Sequence, residues 1–145
     1  MKTTLLALVL FAVASLAACS DAELTREARP TTLAGTAWRV VAINGRPPVR
    51  GSEPTAVFAA ADVNGSAGCN SYGGQYQYDA STGAIAFRDV AQTLALCVEP
   101  ARNDIEALFT RALNQAASAS IDAEGRLVLS GPGGEIVLAV DAVGS

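Results

Sequence analysis

The least interchangeable part of the chain reads GSAGCNSYGG (Gly65–Gly74), called here the glycine stretch. Four glycines, one cysteine and one asparagine fall within ten residues, and the flanking segments alternate like β-strands. Glycine at this density marks backbone with positive φ or very close chain packing. We therefore expect a strained turn between two strands, around which the rest of the chain is arranged.

Composition limits the classes of protein to consider. The 145 residues suffice for one domain with a real hydrophobic core. The chain contains no histidine, so Ser-His-Asp and Cys-His catalysis and histidine-ligated metals are excluded. The formal net charge is −4, and Lys2 is the only lysine. Without a basic patch to neutralise phosphates, nucleic-acid binding is not expected.

The body of the chain alternates in period 2 between turn signals, which is typical of half-buried strands. Asn44-Gly45 is a strong turn signal, and Asp62–Gly65 is predicted to be a hairpin turn. Short strands with glycine-rich turns indicate an antiparallel meander. The predicted strands are 36–43, 55–60, 74–79, 84–90, 119–122, 126–130 and 135–140.

One segment changes to helical periodicity. Apolar residues from Ile105 to Ala116 fall at the spacings of one helix face, and Pro100 suits the first helical turn. The sequence predicts one α-helix at about residues 100–117. The fold class is a β-rich α+β domain: a small antiparallel meander, strongly curled or barrel-like, with this helix packed on an open end or face.

The N-terminus has the features of an export signal. A cationic start, an apolar run over 5–14 and small residues before Cys19 describe a secretory signal peptide, and Leu16-Ala17-Ala18-Cys19 resembles the bacterial lipobox. The resemblance implies a lipoprotein signal peptide at 1–18, an acylated Cys19 and a flexible tether over 19–32. In lipoprotein sorting, Asp directly after the cysteine favours the inner membrane; here Ser20 favours an outer-membrane anchor facing the periplasm. The alternative is an ordinary signal with a chance cysteine.

The two remaining cysteines form an even pair in an exported protein, so a Cys69–Cys97 disulfide is the default expectation. A redox-active pair and a metal site are the alternatives. Neither cysteine has Cys-x-x-Cys spacing or an adjacent lysine or histidine to lower the thiol pKa, and two cysteines without histidine do not make an ordinary zinc site.

An ordered set of motifs matches a known family. The set comprises Leu33-x-Gly35-Thr36-x-Trp38, Asn44-Gly45, Gly65-x-x-Gly68-Cys69-Asn70-x-Tyr72-x-Gly74-x-Tyr76, Thr93-x-x-x-Cys97 and Glu106-x-x-Phe109-x-x-x-Leu113. These residues resemble the META domain family, which includes the bacterial heat-shock protein HslJ. The resemblance assigns a META domain to residues 33–142. It implies a small β-rich domain with one helix, a role in the cell envelope under stress or antibiotic exposure, and no enzymatic activity.

The chain departs from this family at Leu94-Ala95-Leu96, where a methionine is often found. Leucine replaces methionine at little packing cost, so we interpret the change as neutral.

Candidate recognition residues lie in and beside the glycine stretch: Asn70, Tyr72 and Tyr76. A turn-forming role for the asparagine and core packing of the tyrosines are the alternatives. The carboxylates are scattered, and none pairs as an acid and a base or completes a calcium loop. We predict no catalytic residues, no metal and no cofactor.

The sequence predicts a non-catalytic envelope lipoprotein that supports stress or antibiotic tolerance through binding or envelope support. Its expected partners are the membrane, through the lipid anchor, and an unknown protein or small molecule. The alternative is a periplasmic inhibitor or partner-binding module directed at an enzyme such as a lysozyme or protease. In that case Arg46-Pro47-Pro48 or the glycine stretch would enter the active site of the target.

Overall fold

The computed structural model describes residues 28–141 of the chain. The predicted signal peptide, the lipidation site at Cys19 and the tether as far as residue 27 lie outside the described residues. No helix within 28–141 is long and apolar enough to cross a membrane.

The described chain forms eight antiparallel strands and one helix. The strands follow one another around a closed barrel in chain order, and the helix lies between β5 and β6 in sequence. This confirms the predicted meander and its barrel-like curl. The elements are β1 Thr36–Ile43, β2 Thr55–Phe58, β3 Asp62–Ser66, β4 Ser71–Asp79, β5 Ala84–Gln92, α1 Pro100–Asn114, β6 Ser118–Ile121, β7 Leu127–Gly131 and β8 Gly134–Val140.

The barrel is closed unevenly. β1 pairs with β8 from Trp38 opposite Val140 to Ile43 opposite Ile136. In contrast, β5 and β6 pair only at Ala84 opposite Ser118. The barrel therefore has one weak seam, which coincides with the insertion of α1.

Alternating residues of the strands fill the interior with aliphatic and aromatic side chains. Phe58 lies at its centre, in edge-to-face contact with Tyr76 and near Phe87. From the helix, Ile105, Phe109 and Leu113 add to the same core. One face of α1 thus packs into the barrel, as the periodicity predicts.

The helix ends earlier than predicted, at Asn114 instead of residue 117. The Ala117 amide donates to the Ser130 carbonyl at 2.8 Å, and the Ala117 carbonyl accepts from the Ile85 amide at 3.1 Å. Because these bonds join residue 117 to β7 and β5, its backbone cannot continue the helix. Pairing with strands distant in sequence overrides the local periodicity.

The glycine stretch contributes to two strands and the turn between them. The turn is closed by the Ala67 amide, which donates to the Asn70 carbonyl at 2.7 Å. The predicted hairpin turn at Asp62–Gly65 is wrong, because these residues belong to β3. The chain reverses just before them, where the Ala59 amide donates to the Asp62 carbonyl at 2.8 Å.

Gly74 shows why the stretch needs glycine. The register between β4 and β5 shifts here, so that two residues, Asp89 and Val90, oppose the single Gly74. Asp89 has φ of 51°, as expected for a β-bulge. A Cβ on Gly74 would lie 2.9 Å from the Val90 Cα. The neighbouring Gly73 has no atom closer than 3.9 Å to such a Cβ.

The predicted tether is part of the folded domain from Ala28 onward. The Ile121 amide donates to the Ala28 carbonyl, and the Arg29 guanidinium donates to the Ser81 carbonyl at 2.8 Å. The Tyr78 hydroxyl donates to the Pro30 carbonyl at 2.7 Å. The chain thus enters the barrel beside β6 and the turn between β4 and β5.

Candidate functional site

Asn70 is the centre of a buried polar network, with only 2% of its surface exposed. Its side-chain oxygen accepts from the Thr93 hydroxyl and the Ala95 amide, both at 2.8 Å. Its side-chain nitrogen donates to the Ala95 carbonyl at 2.9 Å and to Glu106 Oε1 at 2.8 Å. The amide of one residue therefore joins the glycine stretch to the segment after β5 and to the helix.

Glu106 is the partner that sequence reasoning missed. Its carboxylate lies inside the domain, where Oε2 accepts from the Asn70 backbone amide at 2.8 Å. Gln92 Nε2 lies 3.4 Å from Oε1, and Gln92 Oε1 accepts from the Thr110 hydroxyl at 3.0 Å. Amide groups satisfy this buried carboxylate, and no arginine of residues 28–141 forms an ion pair with it. Buried charges without hydrogen bonds are strongly destabilising, so the network has a structural purpose.

A signal for Glu106 was present in the sequence. It precedes Phe109 by three positions and Leu113 by seven, so it lies on the apolar face of the helix. A carboxylate at such a position needs a buried polar partner. Periodicity alone could not identify that partner, because Asn70 is 36 residues away in sequence.

Asn70, Tyr72 and Tyr76 are not exposed recognition residues in this structure. All three are buried, with at most 7% exposure. The Tyr72 hydroxyl donates to the Thr55 carbonyl at 2.9 Å, and the Tyr76 hydroxyl donates to the Ala59 carbonyl at 2.8 Å. Burial raises the pKa of both tyrosines. The tyrosines point inward because they alternate on the core face of β4.

The Cys69–Cys97 disulfide is present in the structure, with the two Cα atoms 5.9 Å apart. It joins the turn after β3 to the segment before the helix. The two sulfurs and a Glu106 oxygen lie within 4.8 Å of one another. These distances would suit a set of metal ligands. However, the two sulfurs are bonded to each other and therefore lack the thiolate charge that binds a metal.

The segment between β5 and α1, residues 93–98, is called here the apolar loop. Three large apolar side chains protrude from it: Leu94, Leu96 and Val98 are 89%, 91% and 100% exposed. Large apolar side chains exposed together in this way form a candidate interaction surface. The change at Leu94-Ala95-Leu96, interpreted as neutral from the sequence, lies in this surface.

A shallow depression of about 440 Å³ lies beside the apolar loop. Its lining includes Leu96 and Val98 of the loop, the Cys69–Cys97 disulfide and Arg102. Arg102 pairs with Glu99, with Nε 3.0 Å from the carboxylate. The depression is therefore lined by both apolar side chains and an ion pair.

Two turns of the described chain are held by charged side chains in local contacts. Hydrogen bonds from Ser81 lower the pKa of Asp79, which caps the turn between β4 and β5. Arg126 pairs with Asp122 and Glu124 across the turn before β7. Among residues 28–141, every buried side-chain nitrogen or oxygen has a hydrogen-bond partner. No unpartnered buried group of the described chain is aimed at a substrate.

Comparisons with solved structures agree with this fold. An NMR structure of a protein from Burkholderia xenovorans is 22% identical with a TM-score of 0.60, and the match covers 73% of this chain and 81% of that one. A second NMR structure is 19% identical with a TM-score of 0.61, covering 73% and 89%. A crystal structure of a DUF4847 family protein from Bacteroides vulgatus is 20% identical with a TM-score of 0.52, covering 75% and 94%. At these identities the likeness shows the fold alone.

The family comparison is more specific. No curated protein matches the chain significantly. The family model of the META domain, however, matches residues 31–143, which is well over half of the sequence. The motifs around the glycine stretch and Glu106 occupy the centre of this match, and the structure joins them through Asn70. The chain therefore belongs to the META domain family.

Proposed function

We propose that the protein is a non-catalytic envelope lipoprotein whose META domain binds a partner and thereby supports tolerance of envelope stress or antibiotics. One observation carries the proposal. The side chain and backbone amide of Asn70, the buried polar residue of the glycine stretch, are directed inward to Glu106, whereas the large side chains of the adjacent apolar loop are directed outward. This arrangement favours recognition over chemistry.

The polar chemistry of the domain supports a binding role. The chain has no histidine to act as a general base. Among residues 28–141, Glu106 is the buried carboxylate, and it accepts hydrogen bonds from amides, which stabilise it as part of the core. Membership of the META family supports the stress-related part of the proposal.

The lipid anchor follows from the lipobox-like sequence ending in Cys19. Ala28, the first residue that the structure describes, pairs with Ile121 and follows Cys19 by nine positions. Nine residues span at most about 30 Å when fully extended. An acylated Cys19 would therefore keep the barrel close to the membrane surface.

A deletion strain tests the proposal. We expect reduced growth under a panel of detergents, heat and antibiotics, restored by the wild-type gene. Cys19→Ala should restore it poorly, and mass spectrometry of the wild-type protein should find acyl groups on Cys19. Normal growth of the deletion strain under every stress would overturn the stress role, and an unmodified mature N-terminus would overturn the anchor.

A further inference from the structure

We propose that the apolar loop is a docking edge at which an extended apolar segment of a partner polypeptide adds as a β-strand. This deepens the proposed function and rests on it, because it names the surface and the class of partner. The argument uses the backbone of the loop, its side chains and the groups that hold it in place.

The odd-numbered residues of the loop direct their backbone groups into the domain. The Thr93 amide donates to the Ser71 carbonyl at 3.0 Å, and both backbone groups of Ala95 bond to the Asn70 side chain. Likewise, the Cys97 amide and carbonyl bond to the Asn103 side chain, each at 3.2 Å. Asparagine side chains thus take the place of a neighbouring strand on the inner side.

The even-numbered residues have the opposite arrangement. Within the described residues, the backbone amides of Leu94, Leu96 and Val98 donate no hydrogen bond. In an extended segment, successive residues direct their N–H and C=O groups to opposite sides. At Leu94 and Leu96 the outer side of the loop is therefore an unpaired strand edge, and both residues also carry exposed apolar side chains. Val98 lies in the bend that follows, where the chain turns towards the helix.

The edge is held in a fixed position. The Asn70 side chain holds Thr93 and Ala95, and the disulfide and the Asn103 side chain hold Cys97. A segment that is already ordered loses less conformational entropy on binding. The adjacent depression of about 440 Å³ can accept one side chain of an added strand. Main-chain pairing with a side-chain pocket is how strand addition gives both affinity and specificity.

Two other occupants fit the edge less well. In the hydrocarbon of a membrane, the unpaired backbone groups at Leu94 and Leu96 would each cost several kcal/mol. A second rigid copy meeting this one through three side chains would bury far less than the roughly 800 Å² per partner of a standard interface. An extended segment satisfies the backbone and covers the apolar side chains together.

The test uses the purified full-length protein and synthetic peptides that alternate threonine with valine, leucine or phenylalanine, without and with backbone N-methylation. We expect unmethylated peptides to shift the amide NMR signals of Leu94 and Leu96 and to slow their hydrogen exchange. N-methylation at the pairing positions should weaken binding about tenfold or more, because it removes main-chain hydrogen bonds. Equal binding of methylated peptides, or no binding of any peptide, would overturn strand addition.

Matched variants and other occupants complete the test. Leu96→Asp should abolish peptide binding, whereas Val140→Asp, at an exposed residue of β8, should leave it unchanged. Binding to phosphatidylethanolamine–phosphatidylglycerol vesicles that depends on Leu96 would overturn the proposal in favour of a lipid surface. A dimer in sedimentation that Leu96→Asp dissociates would overturn it in favour of a second copy.

The same variant separates this proposal from the proposed function. In the deletion strain, we expect Leu96→Asp to fail and Val140→Asp to succeed in restoring stress tolerance. If the deletion strain is sensitive and Leu96→Asp restores growth fully, the docking edge is wrong and the stress role stands. If the deletion strain is not sensitive, the stress role is wrong, and the peptide experiment still decides the docking edge.

Discussion

Replacing Asn70 by aspartate tests whether its amide holds the glycine stretch to the helix. The change keeps the size and shape of the side chain but replaces the donor nitrogen by a charged oxygen. That nitrogen lies 2.8 Å from Glu106 Oε1 and 2.9 Å from the Ala95 carbonyl oxygen. Two hydrogen bonds are therefore lost, and two carboxylates come into contact in the interior.

The magnitude follows from these contacts. A hydrogen bond to a charged group contributes about 1.5–3 kcal/mol and a neutral one about 0.5–1.5 kcal/mol, so the lost bonds account for about 2–4.5 kcal/mol. Two like charges about 3 Å apart repel by about 5 kcal/mol at an effective dielectric of 20, and proton uptake by the pair limits this repulsion. We expect Asn70→Asp to lower the free energy of unfolding by about 4–6 kcal/mol at pH 7.

The pH dependence of the stability of Asn70→Asp distinguishes charge repulsion from the loss of hydrogen bonds. A carboxylate pair in contact binds a proton more tightly in the folded than in the unfolded state, so the stability of the variant falls as the pH rises. Urea unfolding at pH 4.5 and pH 7 should therefore show a smaller deficit relative to wild type at the lower pH. Asn70→Ala loses all four side-chain hydrogen bonds without adding a charge, so it should show a deficit of at least about 3 kcal/mol with a weaker dependence on pH.

Asn64→Asp is the matched control, because Asn64 is exposed on β3. It should change stability by no more than about 0.5 kcal/mol. If Asn70→Asp is as stable as this control, the network does not hold the helix to the turn. An equal deficit of Asn70→Asp at both pH values would refute the carboxylate contact.

Three further predictions concern single features of the barrel. Gly74→Ala should lower the thermal midpoint clearly more than Gly73→Ala, because only the first adds a Cβ 2.9 Å from the backbone of the facing strand; equal midpoints would contradict the tight bulge. Replacing Cys69 and Cys97 by serine should lower the free energy of unfolding by about 3.6 kcal/mol in the chain-entropy model, measured by urea unfolding; an unchanged value would mean that the disulfide does not stabilise the domain. Burial raises the pKa of Tyr72, so the folded state keeps its phenol proton at a pH where the unfolded chain loses it, and the free energy of unfolding should fall above about pH 10. The fall should be smaller in Tyr72→Phe, and an equal fall in both proteins would contradict the burial of Tyr72.

The elements of the fold were predictable because their signals are local. Asn44 and Gly45 have φ of 50° and 75°, the left-handed pair that an Asn-Gly turn requires. The period of two in the strands and the apolar face of α1 come from neighbouring residues, whose spacing determines which side of an element they occupy. A meander of short strands with one helix follows from these signals.

The errors arose where distant residues decide the outcome. The helix ends at Asn114 because Ala117 pairs with β5 and β7. The residues Asp62–Gly65 form a strand because β2 and β4 lie on either side of them. The local sequence favours continued helix at Ala117 and a turn at Asp62–Gly65. Strand pairing overrides both preferences.

The candidate site was only half predictable. The chemistry of the glycine stretch and the pairing of Cys69 with Cys97 were evident from the residue types and their spacing. The inward direction of Asn70 was not, because it depends on Glu106 reaching the turn from the helix. The exposure of Leu94 and Leu96 was also not predictable from the sequence, because an alternating apolar segment of this kind is normally a buried strand.

By itself the sequence determined the strand meander, the apolar face of one helix, the turn residues and the inventory of chemically useful groups. These depend on backbone sterics and on the spacing of apolar residues along a few turns or strands. The tertiary structure alone decided the closure of β1 on β8, the bulge opposite Gly74, the Asn70–Glu106 contact and the outward edge of the apolar loop. Each of these depends on register and burial, and both are set by contacts between residues far apart in the chain.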